Sequence, residues 1–130
     1  MAILWHFWGQ IPWSDFPSVH GSLEWVYDTI HKLTHRAVAV INVDICAYGG
    51  ILGARASPVM KEVLLEALRA MPSTYDPSMT YHDFLVSWLA KGEDTRNTTV
   101  EDYVGLLDAG SDHAAFTFYA GVPAVDFGFE

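Results

Sequence analysis

The chain is short of cationic side chains. Of its 130 residues, 7 are Lys or Arg against 16 Asp or Glu, for a formal net charge of −9. The basic residues are scattered as Lys32, Arg36, Arg55, Lys61, Arg69, Lys91 and Arg96. No cationic patch is available to neutralise phosphates, so nucleic acid is excluded as a partner. A single cysteine, Cys46, rules out an internal disulfide and leaves the compartment open. Long hydrophobic runs are missing, since apolar residues come in short stretches broken by Gly, Pro and charge, well under the roughly 18 to 20 that a membrane helix needs. Residues 1–8 are apolar but carry neither a basic flank nor a small-residue cleavage site, so a signal peptide is not expected. There is no G-x-S-x-G elbow or phosphate loop, and Cys46 has no histidine close in sequence; serine-hydrolase, nucleotide-binding and cysteine-nucleophile chemistry therefore find no support.

What is present is 51% hydrophobic residues in a length that suits one domain or part of one, enough to build a buried core. Residues 2–8 form a short apolar and aromatic run ending at Gly9, which suits a buried strand, and residues 10–20 read as a loop through Pro12 and Pro17. Gly21-Ser22 then opens a helix with Leu23, Val26, Tyr27, Ile30 and Leu33 on one face. Residues 37–43 are apolar and rich in β-branched side chains, with Asn42 as the polar exception, a pattern expected of a strand covered on both faces. A short strand is expected over 51–56. Ser57 and Pro58 start a helix that Pro72 ends, with Ser as cap and Pro in the first helical position. Thr80 to Asp83 has capping-box spacing ahead of Phe84, Leu85, Trp88 and Leu89. Residues 113–119 read as a short helix and 124–129 as a final strand. This order implies an α/β layered domain with ligands outside the carboxyl ends of the strands.

Several residues are able to carry chemistry. Asp44, at the end of its strand, is a hard oxygen donor on a rigid element and so a candidate metal ligand, or equally a residue capping the turn that follows. His31 and His35 have the four-residue spacing at which two imidazoles meet one metal, but Lys32 stands where zinc-protease helices carry a Glu, and a solvated helix face is the plainer reading. His113, after Asp112 at a helix start, is a general base, a ligand or simply a surface residue. Gly110-Ser111-Asp112 places backbone N–H groups at a positive helix end, where a substrate carboxylate or carbonyl would sit, with a plain helix cap as the alternative. Asn97-Thr98-Thr99 is a glycosylation triplet, relevant only in the secretory pathway.

Four segments, in order, resemble one family. They are Gly21-Ser22-Leu23-Glu24-Trp25-Val26, Ala37-Val38-Ala39-Val40-Ile41-Asn42-Val43-Asp44, Ala109-Gly110-Ser111-Asp112-His113-Ala114-Ala115-Phe116 and Ala120-Gly121-Val122-Pro123-Ala124-Val125-Asp126. The sequence is similar here to the glutamate carboxypeptidase II family of N-acetylated alpha-linked acidic dipeptidases, zinc-dependent exopeptidases to which the transferrin receptor is a non-peptidase relative. The resemblance spans roughly residues 1–130. It implies an aminopeptidase-like mixed sheet flanked by helices, incomplete, as a single partial peptidase domain from the C-terminal part of such a domain. It matches Asp44 to a terminal zinc ligand, and Gly110 and Ser111 to the loop lining the substrate pocket.

Departures from the family pattern shape the expected function. The family's Trp-Asp-Ala-Glu-Glu-Phe-Gly segment, which supplies a general base and a zinc ligand, is replaced by Phe7-Trp8-Gly9-Gln10-Ile11-Pro12. The remaining ligands would fall before Met1 and after Glu130. Asp126 and Gly128 stand where glutamate-preferring members carry arginines. A co-catalytic zinc pair and its base generate hydroxide near neutral pH, and one carboxylate does not replace them. The expectation is thus a partial or divergent metallopeptidase domain, inactive alone, with zinc implied by resemblance but not held by this chain alone. The alternative is a transferrin receptor-like binding module, which the segment Tyr119 to Val125 also resembles. A peptide or small acidic peptide is the substrate only if the chain is active, and a protein partner or self-association is otherwise expected. The resemblance also suggests a membrane-anchored extracellular setting, although no anchor or leader segment is recognisable here.

Overall fold

The computed structural model describes residues 20–43, 48–92 and 98–129. The expected strand at 2–8, Asp44, Cys46, Asn97 and the expected loop at 10–20 up to residue 19 lie outside the described residues, and His20 belongs to the first helix rather than to that loop. Helix α1 is His20–Arg36, with Val26 and Leu33 buried and His35 and Arg36 in its last turn, where positive charge suits the helix dipole. Strand β1 is Val40–Asn42, β2 is Leu52–Ala56, and helix α2 is Pro58–Ala70. Helix α3, Tyr81–Lys91, begins as its capping spacing implies: the Thr80 hydroxyl accepts from the Asp83 N–H at 3.1 Å. The short helix α4, Val100–Tyr103, starts on the same device, with Thr99 accepting from Asp102 N–H at 3.1 Å. Strand β3, Gly105–Leu106, a π-helical segment, Ala115–Tyr119, and strand β4, Ala124–Phe129, complete the order.

The strands form one mixed sheet in the order β1-β4-β2-β3. β4 lies parallel to β1, with Val40 opposite Ala124 and Asn42 opposite Asp126. It runs antiparallel to β2, with Leu52 opposite Phe129 and Ala56 opposite Val125. β3 pairs with only Arg55 and Ala56 of β2. Among the described residues the start of β2 has no strand partner on that edge, and two tyrosines meet it: the Tyr81 hydroxyl accepts the Leu52 N–H at 3.0 Å, and the Tyr103 hydroxyl donates to the Leu52 carbonyl at 3.0 Å. Both peptide groups are thereby satisfied without a ladder.

Helices cover the two faces, as the α/β expectation requires. On one face, Leu52, Ala54, Ala56 and Val125 pack with Leu65 and Leu68 of α2, Tyr81 and Leu85 of α3, and Val100 and Val104. On the other, Val26 and Leu33 of α1 pack with Ala115, Phe116, Ala120 and Val122, and Val40 leans on them. Strand β1 departs from the expectation of two covered faces. Its register puts Ile41 beside Val125, on the α2–α3 side, yet Ile41 is 57% exposed while Asn42 on the opposite face is buried. Among the described residues, the α2–α3 layer does not reach this edge strand. No helix among the described residues is long and apolar enough to cross a membrane.

Ser57 stands at the N-cap of α2 with Pro at the helix start, but its hydroxyl makes no cap. It accepts instead from the Ala124 N–H at 2.9 Å, while the Ser57 N–H donates to the Ala124 carbonyl at 2.8 Å. The pull of the sheet wins over the local cap here, because Ala124 is fully buried and its N–H needs a partner.

Candidate functional site

The carboxyl end of β1, the first half of β4 and the loop before the π-helical segment meet in a largely buried polar centre. Asn42 is its hub. The parallel register brings Asn42 level with Asp126, and the Asn42 Nδ2 donates to Asp126 Oδ1 at 2.6 Å and to Ser111 Oγ at 2.9 Å. His113 Nδ1 stands 3.5 Å from the same amide nitrogen and 3.8 Å from Asp126 Oδ2. His113 Nε2 lies 3.0 Å from the Asp108 carbonyl oxygen, so this nitrogen carries the proton. A carboxamide has two N–H groups, and Ser111 and Asp126 take both, which leaves the imidazole with the longest of the contacts.

Asp108 closes the loop on itself. Its Oδ1 accepts the Gly110 N–H at 2.9 Å, and its Oδ2 pairs with Arg55 Nη1 of β2 at 3.1 Å. The Gly110 N–H holds the Asp108 carboxyl below the ordinary aspartate range, with the charges of Arg55 and His113 adding to the effect. A second clasp comes from α1, where the Ser22 hydroxyl donates to Asp112 Oδ1. The segments around Ser22, Asn42, Ser111 and Asp126, far apart in the chain, therefore converge in space.

Of the residues singled out from sequence, Asp44 lies outside the described residues. Gly110 is exposed, and Ser111 is buried with its hydroxyl turned to Asn42. Neither Ser111 nor Asp112 caps the helix through its side chain. The Ala114 and Ala115 N–H groups donate to the backbone carbonyls of Ser111 and Asp112 at 3.0 and 3.2 Å. His113 is no surface residue: its exposure is 0%. His31 and His35 are both exposed on α1, in keeping with a solvated face.

Asn42, His113 and Asp126 form the centre that residue-by-residue reading did not assemble. The available signal was Asn42 itself, a lone amide in an otherwise apolar strand, which demands buried partners. Zinc requires several N, O or S donors turned to one point. Among the described residues no three His, Cys, Asp or Glu side chains converge in that way, and His113 spends Nε2 on a carbonyl oxygen. The described residues do not by themselves fit a zinc pair.

Similarity to known proteins runs through most of the chain. No family model matches it. It is 31% identical over 109 residues to a probable glutamate carboxypeptidase, LAMP1, of Arabidopsis thaliana, an alignment covering 84% of this chain and 15% of that protein. It is 30% identical over 113 residues to the mouse aminopeptidase NAALADL1, covering 84% of this chain and 14% of that protein. Rat transferrin receptor protein 2 is 29% identical over 120 residues, covering 88% of this chain and 14% of the receptor. The chain thus spans a small part of the length of the curated relatives it matches.

Proposed function

Because this chain is part of a peptidase domain of the glutamate carboxypeptidase and transferrin receptor family, we propose that it supplies scaffold and pocket wall rather than catalysis, and that taken alone it hydrolyses no peptide. The carrying observation is the commitment of the polar centre to itself. Ser111 Oγ, both N–H groups of Asn42 and an oxygen of Asp126 are spent on one another. These bonds hold the 108–113 loop against β1 and β4. They leave Asp108, Ala109 and Gly110, not the Ser111 hydroxyl, as the solvent-facing part of the loop.

In this reading Asp44 is a zinc-ligand position retained by descent. A lone carboxylate does not hold zinc against water without further donors. Zinc titration by calorimetry on the 130-residue chain and on Asp44→Ala tests it. Weak, non-stoichiometric uptake, the same in both proteins, is expected. Tight one- or two-equivalent binding that Asp44→Ala removes would overturn the reading.

A second reading, a non-catalytic interaction module, is favoured by one further observation. The π-helical segment buries Ala115 and Phe116 and presents Phe118 and Tyr119 outward, at 59% and 53% exposure. Two neighbouring aromatics offered to solvent are costly unless something covers them. Sedimentation of the wild type against a Phe118→Ser, Tyr119→Ser double variant separates the cases. A mass above monomer that the variant lowers supports the module, and identical monomers count against self-association through this segment.

A further inference from the structure

His113 is fully buried, and its surroundings suit two different protonation states. Nε2 keeps its proton in either state, because the Asp108 carbonyl oxygen 3.0 Å away only accepts. Nδ1 is therefore the atom at which the ring gains or loses a proton. It faces a donor, Asn42 Nδ2, at 3.5 Å, and an acceptor, Asp126 Oδ2, at 3.8 Å. A bare Nδ1 is compatible with the first neighbour, and a protonated one with the second.

We propose that His113 is a proton-operated latch on the loop that carries Gly110 and Ser111. With Nδ1 bare, Asn42 directs its two N–H groups at Asp126 and Ser111, and the loop is seated on β1. A proton from solvent on Nδ1 sets N–H against N–H at Asn42 and gives Asp126 Oδ2 a cationic donor, while Oδ1 is the oxygen that the amide holds. That donor–donor contact turns the Asn42 amide away from the ring, and Ser111 loses its donor from β1. The latch works whether or not the chain ever turns over a peptide.

Charged groups approach the ring from two elements. Asp126 approaches from β4. Asp108 approaches from the loop, its Oδ1 4.0 Å from Nε2, and is itself paired with Arg55 of β2. Asp112 is held by Ser22 of α1. Strand β1 contributes the uncharged Asn42 from its described residues, and the π-helical segment Ala115–Tyr119 contains no Asp, Glu, Lys, Arg or His. Among the described residues, two carboxylates, one of them paired with Arg55, and one neutral amide face the ring. Histidine is the side chain whose charge ordinarily changes between about pH 5 and 8, which sets the range to search.

NMR of the whole chain across about pH 5 to 8 tests the latch. The reporters are the His113 ring carbons, the Asn42 side-chain amide and the Ser111 backbone amide. All three are expected to move with one shared midpoint. Asp126→Asn, which removes the negative charge facing Nδ1, is expected to move that midpoint to lower pH at all three reporters. His113→Gln is expected to abolish the transition at Asn42 and Ser111. The proposal is overturned if the ring titrates while Asn42 and Ser111 stay still, if their transition survives His113→Gln, or if the ring does not titrate in the folded chain. Should His113→Gln not fold, coincidence of the wild-type midpoints decides alone.

Discussion

The two helical layers of this domain hold to the same sheet by different chemistry. On the α2–α3 side the contacts are aliphatic and aromatic, and polar groups enter only to finish the backbone, as Tyr81 and Tyr103 do at Leu52. On the α1 side, among the described residues, the apolar cluster is smaller, and beside it the buried Asn42, Ser111 and His113 and the half-buried Asp126 hold to one another and to the Asp108 carbonyl. Apolar packing tolerates small adjustments, whereas a buried polar set is stable only when every member has its partner. The difference teaches where each side will fail: the first by loss of volume, the second by loss of a single donor or a single proton.

The largest expected effect breaks the apolar side. Leu85 is 1% exposed in the centre of that cluster, and Leu85→Ala should cost about 2–5 kcal/mol through lost transfer energy and the cavity left behind, read by urea unfolding. On the polar side, Asn42→Ala should cost about 1–3 kcal/mol, since it strands an Asp126 oxygen and the Ser111 hydroxyl while removing little apolar volume. A loss on the apolar side no greater than the loss at Asn42 would dissolve the contrast. Tyr81→Phe keeps the ring and removes the acceptor for the buried Leu52 N–H; the expected cost is about 1–3 kcal/mol, with β2 amide exchange rising first at Leu52. Burial already pushes the Tyr81 hydroxyl above its ordinary titration range, in keeping with a neutral phenol at that position.

The smallest expected effect is acid sensitivity at the loop. The Gly110 N–H, then Arg55 and His113, hold the Asp108 carboxyl below its unfolded value. A group depressed in the folded state contributes stability that is fully present above its unfolded pKa and disappears as pH falls through the folded one. Asp108→Asn should therefore flatten the acid limb of a stability-versus-pH curve below about pH 4 and leave the neutral region with only a small loss, because the group is half exposed and well screened. An unchanged acid limb would mean that the loop closure contributes nothing measurable.

Much of the apolar side was legible from residue order. The Thr80 spacing, the Pro58 start and the strand at 124–129 are local signals that no tertiary contact overrides. The polar side was legible only in its parts. Asn42 was conspicuous in an apolar strand, but its partners lie 69 to 84 positions away, and no periodicity links them. His113 next to Asp112 has the local look of an exposed helix start, and only the fold of the 108–113 loop buries it. Ser57 has the local look of a cap, and the need of a buried strand N–H redirects it. The helix at Val100–Tyr103 and the two-residue strand after it escaped notice for the opposite reason. They are shorter than any period that would reveal them, although Thr99 and Asp102 repeat the spacing that marks α3.

In the proposed reading, this segment of the glutamate carboxypeptidase and transferrin receptor family holds a pocket wall and does not run the reaction by itself. The most direct test is hydrolysis of a panel of acidic dipeptides by the purified chain with zinc in excess, followed by chromatography of the released amino acid. The expected rate equals that of zinc in buffer, unchanged by Asp44→Ala. Zinc-dependent turnover that Asp44→Ala abolishes would contradict the account and make the chain an enzyme in its own right.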